Sequence, residues 1–120
     1  MWLILSVLLA PQTFAADVVI PKSQFVDGMK GGLADVLCGD KAYFRKCFSG
    51  AKEDCEKELK AATADCLASL DKELPTQLHQ PADGQTWGQK VGQCAGERAE
   101  KDLAAKKLKS ADCEDLEKWK

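Results

Sequence analysis

Six cysteines, one histidine and a scatter of carboxylates are the residues of this 120-residue chain that could carry chemistry. A cysteine can act as a nucleophile, hold a metal or close a disulfide, and its spacing and surroundings decide among these. Cys38, Cys47, Cys55, Cys66, Cys94 and Cys113 are separated by 8, 7, 10, 27 and 18 residues. Metal sites draw on closely spaced Cys or His pairs, and thiol–disulfide exchange on Cys-x-x-Cys; the chain has neither. An even cysteine count in a small exported domain reads as three disulfides. The pattern asks for no metal and no other cofactor.

His79 is the only histidine, so a Ser-His-Asp or Cys-His site would have to be built on it. It stands in the polar stretch 75–86, PTQLHQPADGQT, with no serine near it in sequence. Pairs such as Glu53/Asp54 or Glu114/Asp115 could serve as acid and base on a glycoside. With 19 acidic side chains among 17 basic ones, that adjacency is the ordinary pattern of solvated helix faces. The run Lys106-Lys107-Leu108-Lys109 reads the same way. A net charge of -2 gives no long-range attraction to phosphate backbones, so nucleic acid is not an expected partner. The residues point to a protein without catalytic machinery.

The case for disulfides depends on the compartment, and the N-terminus speaks to that. Residues 2–10 form an uncharged apolar run, followed by Pro11, Gln12, Thr13, Phe14, Ala15 and Ala16. The run is shorter than the about 20 apolar residues that span a bilayer. Thr13 and Ala15 supply small residues ahead of a signal-peptidase cut. Residues 1–15 are therefore read as a signal peptide and 16–120 as one disulfide-stabilised helical domain, with a cut after Ala16 as the alternative. No later segment reaches transmembrane length, so the mature chain is expected without a membrane span, in the bacterial periplasm or secreted.

The elements that must position the cysteines are helices. From a cap near Ser23, the residues Phe25, Met29, Leu33, Val36 and Leu37 recur at helical spacing. Gly39-Asp40 breaks this pattern before a short segment carrying Tyr43, Phe44, Cys47 and Phe48. A second long helix, roughly 51–74, places Cys55, Leu59, Ala62, Cys66, Leu70 and Leu74 on one face. Residues 75–86 read as an irregular connection. A third helix, about 87–108, buries Trp87, Val91, Cys94, Ala95, Ala99 and Leu103. Its Gly88, Gly92 and Gly96 form a bare groove down one flank that would pack backbone-to-backbone against the thin row Ala61, Ala64 and Ala68. Gly28, Gly31 and Gly32 weaken the first helix, suggesting close contact with another backbone there or a helix ordered only by packing. Ser110 caps a last short helix with Cys113, Leu116 and Trp119.

The expected fold is all-α: a small bundle of three main helices plus short terminal segments, cross-linked by three disulfides. Six cysteines allow fifteen connectivities. A hairpin turning at Ser49-Gly50 nests them as Cys38–Cys66 and Cys47–Cys55, with Cys94–Cys113 tying down the tail. Residues 38–66 resemble the twin Cys-x9-Cys helical hairpin of mitochondrial intermembrane-space proteins, with gaps of 8 and 10 in place of 9 and 9; an export signal departs from that family's import route. Six cysteines on helices are also similar to saposin-like proteins, which implies lipid binding, although their Cys-x-x-Cys opening is absent.

The functional expectation is a small exported binding protein whose partner is another protein. Its most concrete form is a periplasmic immunity or inhibitor protein against a secreted toxin or enzyme, with Leu78, His79 and Trp87 as anchors. The alternative is a carrier of a lipid or small ligand, with Phe25, Met29, Phe44 and Phe48 lining a cavity in the bundle.

Overall fold

The computed structural model describes residues 18–119; the expected signal peptide and both cut positions lie outside them. Strand β1 (Val18–Pro21) leads into α1 (Lys22–Leu37), a one-turn α2 (Tyr43–Lys46) and α3 (Lys52–Leu70). Strand β2 (Gln77–Gln80), α4 (Ala82–Asp102) and a four-residue α5 (Ala111–Glu114) complete the order, with 3-10 turns at Ala104–Lys106 and Leu116–Trp119. The three long helices α1, α3 and α4 make the bundle, and α3 packs against both others.

The two strands correct the all-α expectation. β1 and β2 pair antiparallel, with Val18 opposite Gln80, Val19 opposite His79, Ile20 opposite Leu78 and Pro21 opposite Gln77. A third of the expected 75–86 loop is therefore β2, and most of the rest is the start of α4, which begins at Ala82 and not near Trp87. The first turn of α4 is held by side chains reaching both ways across it: Gln80 Oε1 accepts from the Gly84 N–H at 2.9 Å, and Asp83 Oδ2 from the His79 N–H at 2.7 Å. Pro21 closes β1, where a residue without an N–H costs least, so α1 starts one residue before Ser23. The Lys22 N–H donates to the Thr76 carbonyl at 2.9 Å. Its ammonium lies 2.8 Å from Asp71 Oδ1 at the end of α3, where a cation suits the helix dipole.

In α1 the buried row follows i, i+4 steps through Phe25, Met29, Leu33 and Leu37. Each step advances about 40° around the axis, so by the last turn the inward direction has moved to Ala34 and Cys38, both 0% exposed. Val36, expected in the stripe, is left outside at 72%. A Cβ added at Gly28, Gly31 or Gly32 would meet nothing within 4 Å, so no neighbouring backbone requires them. Gly28→Ala, Gly31→Ala and Gly32→Ala should each stabilise the protein by about 0.5–1 kcal/mol, read as a raised midpoint in urea. Ala61, Ala64 and Ala68 are exposed, so the expected small-residue seam does not form. Gly92 and Gly96 instead face Leu33 and Phe44 side chains, each 4.0 Å from the added Cβ. Gly50 is different: its φ of +126° makes the turn into α3, a region that favours glycine.

All six cysteines are bonded, but as Cys38–Cys55, Cys47–Cys113 and Cys66–Cys94, with Cα separations of 6.0, 5.4 and 5.9 Å. The nested pairing fails for a geometric reason. Cys38 ends α1 where the antiparallel α3 begins, opposite Cys55. Cys66 lies eleven residues further on, about 16 Å along the helix, beyond any disulfide to Cys38. It meets Cys94 on α4 instead. The segment with α2 turns aside, carrying Cys47 to the returning C-terminal segment.

The core falls into two aromatic and aliphatic ends joined by a lean middle. One end gathers Ala34, Phe44, Phe48, Leu59 and Ala99 around the first two disulfides. The other gathers Phe25, Leu67, Leu74, Leu78 and Val91 beneath the strands. Between them lie Ala62, Cys66 and Ala95. Thr63, buried among these helices, donates its hydroxyl to the Leu59 carbonyl at 2.6 Å, so no buried donor is orphaned there.

Candidate functional site

The anchors expected along residues 75–87 do not converge on the surface. Leu78 is 0% exposed and belongs to the core, so it cannot reach a partner. His79, opposite Val19, is exposed. Trp87 is half-buried against the Leu78 end of the core, with the Lys90 ammonium 4.4 Å from its ring centroid. The residues expected to line a carrier cavity are also divided. Phe25 and Met29 belong to one end of the core, Phe44 and Phe48 to the other. Phe44 stacks on Phe48 at 5.4 Å, and the void beside them is about 10 Å³, room for no more than one water.

A surface feature lies elsewhere, where the end of α1, the start of α2 and the C-terminal turn meet. The C-terminal segment reaches it by three ties. The Leu108 N–H donates to the Cys47 carbonyl at 2.8 Å, the Ser49 N–H donates to the Lys106 carbonyl at 2.9 Å, and Cys113 is bonded to Cys47. Ser110 caps α5 as expected, its hydroxyl accepting from the Cys113 N–H at 3.2 Å. Asp112 then fixes the last turn twice: its carbonyl accepts from the Trp119 indole at 2.8 Å, and its carboxylate holds Lys118 at 2.8 Å.

Trp119 is thereby set 5.7 Å from the Tyr43 ring, which meets Phe44 and Phe48 edge-on at 5.2 and 5.4 Å. Tyr43 donates its hydroxyl to Glu100 Oε1 at 2.8 Å, and Lys107 donates to the same oxygen at 2.7 Å. Burial, the largest cause, and the Glu100 carboxylate raise the Tyr43 phenol above its ordinary value, while Lys107's hydrogen bond pulls it the other way. The hydrogen bond to Glu100 raises the Lys107 ammonium further. The phenol stays neutral and the lysine charged at any physiological pH, so this contact is a fixed lock.

Around the lock runs an open groove of about 510 Å³ between α1 and the Leu116–Trp119 turn. Val36 and Leu116 flank it at 72% and 53% exposure. A second groove of about 400 Å³ lies on the other side of the turn, against Gln93, Glu97 and Glu100 of α4. Sequence reading named Val36 and Trp119 only as helix-stripe residues. Their meeting depends on the Cys47–Cys113 bond, which no local pattern announces.

Among the described residues, no three His, Cys, Asp or Glu side chains converge to hold a metal. One acidic contact bridges α3 and the end of α4: burial, first, and the neighbouring Asp102 carboxylate raise Glu58 above its ordinary value of 4.5, with Lys106 and Lys57 opposing. A carboxyl whose folded pKa is raised weakens the fold above that pKa and ceases to do so below the unfolded value. Glu58→Gln should therefore raise the melting temperature at pH 7, with the gain fading as pH falls toward 4.5 and below.

Comparison with known proteins places this architecture. The family model described as T2SS substrate NttA matches residues 19–114, from β1 through α5. No curated protein and no solved structure matches the chain. A family match over that span, together with three disulfides, makes the chain a member of the NttA family of T2SS substrates and an exported protein.

Proposed function

We propose that the chain is a small exported, non-enzymatic binding protein that engages another protein through the face around Trp119. The observation that carries this is the pairing of Val36 and Leu116, large apolar side chains left 72% and 53% exposed beside Tyr43 and Trp119 on a covalently fixed surface. Exposed apolar groups grouped with aromatics are a mark of interaction sites. The six thiols are committed to structural bonds and the one described histidine stands on β2, which supports binding over catalysis.

Membership of a family of secretion substrates favours a partner met beyond the cell envelope. An immunity or inhibitor protein that plugs a secreted toxin or enzyme remains the most concrete form of the reading. A carrier draws less support, because its expected lining is split between two filled cores.

The test is a photo-reactive residue at Ala42, inside the groove, with one at His79 as control, in protein presented to the cells and secretions it meets. One dominant protein adduct should form from position 42, and Val36→Asp with Leu116→Asp should abolish it while the melting temperature holds. An adduct equal from position 79, or indifferent to the double substitution, would remove this face from consideration.

A further inference from the structure

The binding reading leaves the chemistry of the partner open, and the charges around the groove address it. We propose that the groove between α1 and the Leu116–Trp119 turn takes an acidic, apolar peptide segment of the partner protein. Its apolar side chains would lie against Val36, Tyr43 and Trp119, and its carboxylates beside Lys41 and Lys118. This rests on the binding reading above and deepens it.

Among the described residues, the charged side chains lining this groove are Lys41 and Lys118, and none of its lining side chains is a carboxylate. The chain as a whole carries a net charge of -2, so the local basic rim runs against the overall sign. Lys118 is shared with Asp112 at 2.8 Å yet stays half exposed, so a second carboxylate can approach it. Across the turn, the second groove presents Glu97 and Glu100. Glu100 is already taken by Tyr43 and Lys107, whereas Glu97 would repel an acidic segment. The two rims therefore select both the sign of the occupant and the side of the turn on which it sits.

The shape favours a peptide over a lipid tail. The groove is open to solvent along one side, so a hydrocarbon chain there would remain half wet. A peptide can place alternate or i, i+4 side chains in such a groove and leave its polar face in water.

The experiment uses the mature, disulfide-bonded chain and two short synthetic peptides. One alternates Leu and Phe with Asp and Glu; the other carries Lys at every acidic position. Titration followed by NMR at low ionic strength should show the acidic peptide binding about tenfold more tightly, the scale of two exposed charge pairs turned from attraction to repulsion. The shifted signals should be those of Val36, Tyr43 and Trp119, and the preference should shrink as salt is added. Lys41→Glu, which leaves the Lys118–Asp112 pair in place, should abolish the preference at an unchanged melting temperature.

Equal binding of the two peptides, or a preference that survives charge reversal, would overturn the proposal. Binding of phosphatidylglycerol vesicles through these residues with neither peptide bound would overturn it in favour of a membrane surface. If the position-42 adduct forms and depends on Val36 and Leu116 while the peptides show no charge preference, the binding face stands and only this partner chemistry falls. If both experiments fail, both fall.

Discussion

Replacing Cys47 and Cys113 together by alanine is expected to cost about 4 kcal/mol of stability, the largest loss of the three disulfides. The chain-entropy model scales with the loop each bond closes, and this bond spans 66 residues against 28 for Cys66–Cys94 and 17 for Cys38–Cys55. The same model gives about 3 kcal/mol for the shortest loop. A second effect adds to the first. Between Lys107 and Trp119 only Cys113 is fully buried, so the segment has little apolar area of its own to hold it down.

Without the bond, the segment would be kept by the Phe48–Lys107 bridge, the Lys107–Glu100 contact and the Tyr43–Trp119 ring contact. Urea unfolding of the double variant beside Cys38→Ala/Cys55→Ala measures the order. Hydrogen exchange should show amides 108–119 losing protection well before those of α3. A smaller loss than for Cys38–Cys55, or a segment that stays protected, would show that packing and not the cross-link holds it.

The second large effect concerns Leu78. Leu78→Ala should cost about 2–5 kcal/mol, the range for emptying a fully buried aliphatic site. Leu78 is 0% exposed, sits opposite Ile20 across the strand pair and packs with Phe25, Leu67, Leu74 and Val91. A surface anchor would behave otherwise: its removal would change stability by less than about 0.5 kcal/mol. Thermal or urea unfolding of this one variant therefore separates the observed strand from the expected loop. Leu59→Ala, equally buried at the other end, is the matched control and should lose a similar amount.

How much was legible in the residues varies with the range of the interaction. The face of α3 was readable because Cys55, Leu59, Ala62 and Cys66 repeat within one helix, and all four are buried. Ser110 was readable as a cap because capping acts over three residues. The strands were not. Each has four residues, and the inward side chains Ile20 and Leu78 find each other only across 57 intervening positions.

Disulfide pairing was illegible for the same reason. Local rotation showed which cysteines share a face of α3, but not that α2 turns away from the hairpin. The buried side of α1 was half legible: Phe25 marked it correctly, and the drift of the row then carried Val36 out and Ala34 in. The groove is the extreme case, since it unites the end of α1 with residues some eighty positions later.

The lean middle of the bundle has a consequence for how the molecule comes apart. Two well-filled ends joined by Ala62 and Ala95 would, by burial alone, be free to melt as separate foldons, each at its own temperature. Cys66–Cys94 crosses that junction and covalently couples α3 to α4 there. Because both helices run through both ends, this bond is expected to tie the two ends into one cooperative unit, so the oxidised chain should unfold in a single calorimetric transition.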